Sequence, residues 1–349
     1  MNMKTLIKNI IPAIASIVLV AGKVHGQDAQ NSQVFANPLR LNPAIMATNT
    51  DIKATALYRN QWASLGKGYS TMAFTAMMPT FVSNGKGKLD IGLSILSDKA
   101  GSFSKTDAAL SLGYSVQLAP YNNLSLALTG GFVQNNLNTS GLTYDSQYKL
   151  GTYSSGNPSN ESTLIQKNSY ADVGFGLLWF MNPTRDNSKL NAYAGISGFH
   201  LNQPNQTFLG SAGGKLPAKY SMQAGIKILG TKGVDVSPNV RIMIQNGNVQ
   251  YAIGTYIDYC VNDNFKMVVG AWYRNQSAAV IMLGIEHKSF TLAYSYDVGS
   301  KPMTTYFSGI NANEISLSYK FSRLSKCKIE SFGGESAKPS VKNNIFNNF

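Results

Sequence analysis

The chain has little charge. Only 13% of its 349 residues are Asp, Glu, Lys or Arg, about half the ~25% usual in soluble proteins. It also lacks long apolar runs. After the first 21 residues no stretch of 18 apolar residues occurs, and mean hydropathy is −0.10, which excludes a bundle of membrane-spanning helices. Cysteine is nearly absent: Cys260 and Cys327 are too few for a disulfide scaffold and read as two free thiols rather than a pair. Histidine is as scarce, with His25, His200 and His287 alone. No H-E-x-x-H, paired C-x-x-C or His/Cys cluster is present, so no metal site is expected. G-x-S-x-G, Walker and G-x-G-x-x-G signatures are missing too, and Gly85-Lys86-Gly87-Lys88 has the spacing of a turn rather than a phosphate cradle. His200 and His287 read as strand-end residues rather than catalytic bases. No catalytic residue and no cofactor are expected.

What is present begins with an export signal. Lys4 and Lys8 precede a run from Ile10 to Ala21 that is apolar except for Ser16, and Val24-His25-Gly26 offers a cleavage site before Gln27. The run is short and broken by Pro12, unlike a spanning helix. Residues 1–26 are therefore expected to leave. Without Lys4, Lys8 and Lys23, 27 basic residues face 17 acidic ones, a net charge of +10. The cations are scattered apart from Arg323-Lys326-Lys328, and the chain is exported, so the excess reads as a solvated surface and not as a nucleic-acid site.

The dominant signal is a period of two. In Glu314-Ile315-Ser316-Leu317-Ser318-Tyr319-Lys320-Phe321, Ile, Leu, Tyr and Phe share one face; Glu, Ser, Ser and Lys share the other. Phe290 to Asp297 and Leu124 to Thr129 alternate likewise. Fourteen such strands are predicted, at 52–60, 69–78, 88–98, 103–118, 122–135, 166–181, 189–201, 217–228, 234–246, 248–260, 263–275, 279–287, 289–298 and 312–322. Most reach the ~9–11 residues that a tilted strand needs to cross a bilayer. With the N-terminus in the periplasm, the long connections 136–165, 202–216 and 299–311 all fall on the outer side, and most inner connections are short; 79–87 fits least well. Bacterial outer-membrane barrels sort their loops this way. Aromatic residues, among them Tyr58, Trp62, Trp179, Trp272 and Phe321, cluster near strand ends, as interfacial girdles require.

The predicted fold is therefore all-β, a transmembrane antiparallel barrel of about fourteen strands over 52–322 in the outer membrane. An N-terminal periplasmic or plug segment precedes it at 27–51, and a periplasmic tail follows at 323–349. Alternation turns Lys53, Arg59, Arg241, Asp258, Arg274, Glu286, Asp297 and Glu314 toward the lumen, where a structural charge network is favoured over ligand contacts, because charge facing lipid is costly. Fourteen strands enclose more space than their own side chains fill. The two Asn-Pro turns, Asn37-Pro38 and Asn42-Pro43, either fold into the periplasmic mouth or remain a plain leader. On the outer side, Tyr144, Tyr148, Tyr153 and Tyr306 of the long loops are candidate partner contacts, since tyrosine offers contact area at low rotamer cost.

Between residues 33 and 62 the pattern becomes specific. Gln33-Val34-Phe35-Ala36-Asn37-Pro38-Leu39-Arg40-Leu41-Asn42-Pro43-Ala44, then Leu57-Tyr58-Arg59-Asn60-Gln61-Trp62, resembles the N-terminal signature of the PorP/SprF family of type IX secretion system membrane proteins. Val236 to Val240, Trp272 to Asn275, Gly284 to Glu286, Leu292 to Asp297 and Glu314 to Tyr319 are similar to later family stretches. Met46-Ala47 replaces the usual Ala-Gly, and the tail beyond Cys327 is longer than is common. The resemblance implies a non-enzymatic outer-membrane component that supports secretion or surface anchoring of a large adhesin-like cargo through the cargo's C-terminal sorting domain. It further implies contacts with periplasmic lipoproteins of a secretion or gliding machinery, besides the membrane lipids themselves. The alternative is a diffusion or solute-uptake channel.

Overall fold

A computed structural model describes residues 28, 30–63, 68–81, 87–139, 142–149, 152–159, 166–181, 190–208, 214–230, 233–262, 264–275, 278–299 and 311–321. Fourteen long strands close into one antiparallel barrel. They are β1 (Ile52–Gln61), β2 (Tyr69–Phe81), β3 (Gly87–Ala100), β4 (Phe103–Ala119), β5 (Asn122–Leu137), β6 (Lys167–Met181), β7 (Leu190–Phe199), β8 (Lys219–Leu229), β9 (Val234–Gln245), β10 (Asn248–Asn262), β11 (Phe265–Arg274), β12 (Ala278–His287), β13 (Phe290–Gly299) and β14 (Asn311–Phe321). Each pairs with its neighbour in sequence, and β1 closes on β14 in the register Lys53↔Lys320, Arg59↔Glu314. Closure leaves no free sheet edge, as a strand protein in lipid requires. Among the described residues no helix is long and apolar enough to span a membrane.

Side-chain alternation has an inverted polarity. On β14, Leu317 is 50% exposed while its neighbour Ser316 is 3% exposed. Along β12, exposed Ala279, Ile281, Leu283 and Ile285 alternate with buried residues ending in Glu286. Greasy residues cover the outside and polar ones line the inside, the arrangement of a barrel whose outer solvent is hydrocarbon. The longest connections, 138–166, 200–218 and 300–310, all leave the same end of the barrel. By the loop-length rule of bacterial barrels that end is taken as the outer one, and the opposite end, with the turns at 120–121 and 288–289, as the periplasmic one.

The lumen is filled by the chain's own N-terminal segment. Three 3-10 turns, Val34–Ala36, Pro38–Arg40 and Pro43–Thr48, are buried almost throughout. Proline opens the last two, where its missing N–H and fixed φ cost nothing. The Asn42 side chain caps the last turn by accepting from Ala44 N–H at 2.9 Å. Val34, Leu39, Ile45 and Met46 pack against Met77, Leu178, Phe180 and Tyr256 from strands around the wall. The segment does not stop at the periplasmic mouth. Asp28 meets Lys105, His200 and Lys219 at the outer end, whereas Lys88 at the periplasmic end of β3 donates to the Ala47 and Asn49 carbonyls. It runs the height of the barrel before turning into β1.

Candidate functional site: the filled lumen and the outer rim

Seven of the eight lumen-facing charges named above lie among charged partners. The Arg59 guanidinium reaches Asp297 at 2.8 Å and Glu314 at 3.0 Å, and Arg274 joins Asp297 at 3.0 Å. Glu286 holds Lys320 at 2.9 Å and Lys266 at 2.8 Å, with Lys53 beside them. Asp258 pairs with Lys227 at 2.8 Å. Arg241 is the exception. Buried like the others at 8% exposure, it makes no hydrogen bond or ion pair among the described residues, and the charges of Arg274 and Glu314 act on it only from beyond contact.

These charges grip the inner segment. The Ser32 and Gln33 backbone N–H groups donate to Glu314 at 2.9 and 2.7 Å, and the Ser32 hydroxyl donates to Asp297 at 2.6 Å. Ser316 donates to the Gln33 side-chain carbonyl at 2.5 Å. Of the two Asn-Pro turns, Asn37 accepts from the Thr75 hydroxyl at 3.0 Å, and Asn42 donates to the Leu177 and Ile196 carbonyls at 3.0 and 3.1 Å. Gly176 of β6 leaves the notch in which Asn42 and Pro43 sit; a Cβ there would overlap both. Pro38 and Pro43 are buried at the head of their turns. Trp62 caps β1 with φ 58°, its ring edge-on to Tyr69 at 5.0 Å.

Other lumenal pairs lay outside the residues chosen from sequence. Lys88–Asp90 at 3.1 Å obeys alternation and is legible by it; of Arg40–Asp107 at 2.5 Å only Asp107 is, because Arg40 lies in the inner segment before the first strand. The Asp28 cluster was not, because Asp28 precedes every strand. His200, at the end of β7, places Nε2 2.8 Å from Asp28 and Nδ1 2.8 Å from Asp172. Both ring nitrogens donate only in the imidazolium. Burial opposes that charge, but the hydrogen bonds to Asp172 and Asp28 outweigh it and hold the His200 pKa above its ordinary value. Burial would raise the Asp28 carboxyl; Lys219, Lys105 and His200 instead hold it well below the usual range. His287 ends β12 on the outside of the barrel, near Phe265. Cys260 is a free, half-buried thiol, and Cys327 lies outside the described residues.

At the outer rim the connection after β5 is locally built. A 3-10 turn at Asp145–Gln147 leads into a small hairpin, Tyr148–Lys149 against Thr152–Tyr153. Buried Gln147 donates from its side chain to the Asn157 carbonyl at 3.2 Å, and Asn157 returns a bond to the Gln147 carbonyl at 3.0 Å. Tyr148 and Tyr153, 52% and 39% exposed, stack with centroids 5.5 Å apart. Tyr144 is half-buried at the start of the turn. Tyr306 lies outside the described residues.

A closed barrel with a greasy outside, a charged inside and its own N-terminal segment packed through the lumen defines an outer-membrane protein of the filled-barrel type. Within that class the chain belongs to the type IX secretion system membrane protein family PorP/SprF, whose model matches residues 23–319. No curated protein sequence matches the chain. Among solved structures it is similar to the toluene transporter TbuX of Ralstonia pickettii, with 9% identity over 81% of this chain and 93% of that one and a TM-score of 0.47. The CymD monoaromatic hydrocarbon channel gives 11% identity over 87% and 97%, with a TM-score of 0.48. The translocator domain of the autotransporter NalP from Neisseria meningitidis gives 13% over 82% and 95%, with a TM-score of 0.38. At these scores the likenesses say nothing about what this chain handles.

Proposed function

We propose that this type IX secretion component anchors or passes a large cargo at the cell surface without itself serving as an open pore and without catalysis. The observation that carries the reading is the lumenal segment, gripped by Glu314, Asp297, Lys88 and Ser197 around the wall. A lumen occupied by a hydrogen-bonded segment favours this over a diffusion or uptake channel. Recognition then falls to the rim, where the hairpin presents Tyr148 and Tyr153 on a loop that folds on itself. The cargo's C-terminal sorting domain is the proposed ligand of this rim, and periplasmic lipoproteins are the proposed partners of the tail beyond Phe321, since β14 ends on the periplasmic side. Removal of residues 1–26 as a signal peptide accords with Asp28 lying at the outer end, because a retained anchor would be drawn up through the lumen.

Deletion of residues 146–159 tests the reading. Flexible-loop length costs little stability, so barrel abundance is expected to be normal while cargo at the cell surface falls. Wild-type cargo display by a folded deletion variant would refute the assignment of this loop.

A further inference from the structure

Arg241 stands apart from every other cation of the lumen. It is buried, it makes no hydrogen bond or ion pair among the described residues, and it lines a cavity of about 90 Å³ in the outer half of the barrel. Around that cavity Arg40, Lys105, Lys219 and Arg241 face only two carboxylates, Asp28 and Asp107. Both carboxylates are taken: Asp107 by Arg40, and Asp28 by Lys219, Lys105 and His200. Four cations against two carboxylates leave an excess of two, and of these cations Arg241 alone has no carboxylate in contact; its planar fork matches a carboxylate in two parallel hydrogen bonds. The rest of the wall is partly greasy, with Val34, Leu41, Leu96 and Met243 beside the charged groups. An inorganic anion would leave that surface unused; an uncharged apolar molecule would leave the guanidinium unmatched.

We infer that this cavity is a binding site for a monocarboxylate with a short apolar body, held by Arg241. Asp28 shapes one wall by occupying the ammonium and imidazole groups that would otherwise compete for the ligand. The chemistry is shared by a free carboxylic acid and by the apolar C-terminal residue of a peptide. The inference does not depend on the proposed cargo role.

Calorimetric titration of the full-length protein in detergent tests it, with hexanoate, hexanol, acetate and inorganic phosphate as probes. Hexanoate is expected to bind, acetate to bind more weakly, and hexanol not to bind. Arg241→Gln is expected to lower hexanoate affinity at least about tenfold, the scale of a lost charge-assisted pair. Should that variant fail to form a heat-modifiable barrel, the wild-type contrast of hexanoate with hexanol decides alone. A leucine-terminated peptide as free acid, set against its amide, separates the sources. Acid binding tighter than hexanoate points to a chain end, and binding of hexanoate alone points to a free acid; either supports the site. No binding of hexanoate, equal binding of hexanol, tighter binding of phosphate, or an unchanged folded Arg241→Gln variant would overturn it.

Discussion

Arg59 shows how single residues hold the inner segment. It neutralises Asp297 and Glu314, and those carboxylates in turn accept from Ser32 and Gln33. Arg59→Met keeps much of the volume but leaves buried carboxylates short of a partner, a change that costs about 3–5 kcal/mol in comparable cases. A lower urea midpoint for loss of the folded band is the expected readout. The outer end responds to pH. The His200 pKa is raised, so its contribution is complete below about 6.5, the ordinary histidine value, and fades as pH climbs through the raised value. The Asp28 pKa is depressed, so its contribution is complete above about 3.8, the ordinary carboxylate value, and is lost as pH falls from there through the depressed value. Hydrogen exchange of residues 30–36, corrected for intrinsic rates, is therefore expected to rise on the alkaline side in wild type, and His200→Gln to abolish that pH dependence. Unchanged protection at alkaline pH would contradict this role of the His200–Asp28 contact. Such contacts were only half legible beforehand. Arg59 and Glu314 follow from alternation, but nothing in a residue upstream of the first strand announces that Asp28 will sit beside Lys219, 191 positions away.

Strands were the most legible elements, because lipid outside and polar groups inside impose a period of two on nearly every one. Leu317 and Ser316 make the faces testable. Leu317→Arg puts a charge into lipid and is expected to cost about 2–4 kcal/mol near mid-membrane. Ser316 faces the lumen, where sequence alone allows an arginine if the space is open. The structure removes that allowance, since Ser316 donates to Gln33 in a filled interior. Ser316→Arg is thus expected to displace the inner segment and to increase proteolysis near Gln33 while the barrel itself still assembles. Heat-modifiability identical to wild type in the Leu317→Arg protein would contradict the assigned faces. The inner segment itself was the least legible element. Its turns carry Asn-Pro signals, but their depth in the barrel depends on long-range fits such as Asn42 into the Gly176 notch, and no local pattern encodes those.

At the scale of the whole molecule, loop lengths give the expected orientation: the three longest connections gather at one end, although that end also carries the tight turns 101–102 and 246–247. A cysteine at Ser154 is expected to react with an impermeant reagent on intact cells and one at Asn187 to stay unlabelled; the reverse would invert the barrel. Family membership and a filled lumen together make the central claim, that this barrel works closed. Single-molecule recording in planar bilayers tests it most directly. Wild-type protein is expected to show no steady conductance, and a variant lacking residues 31–48 to show a stable open level. A wild-type protein that conducts continuously, with a level unchanged by that deletion, would contradict the account.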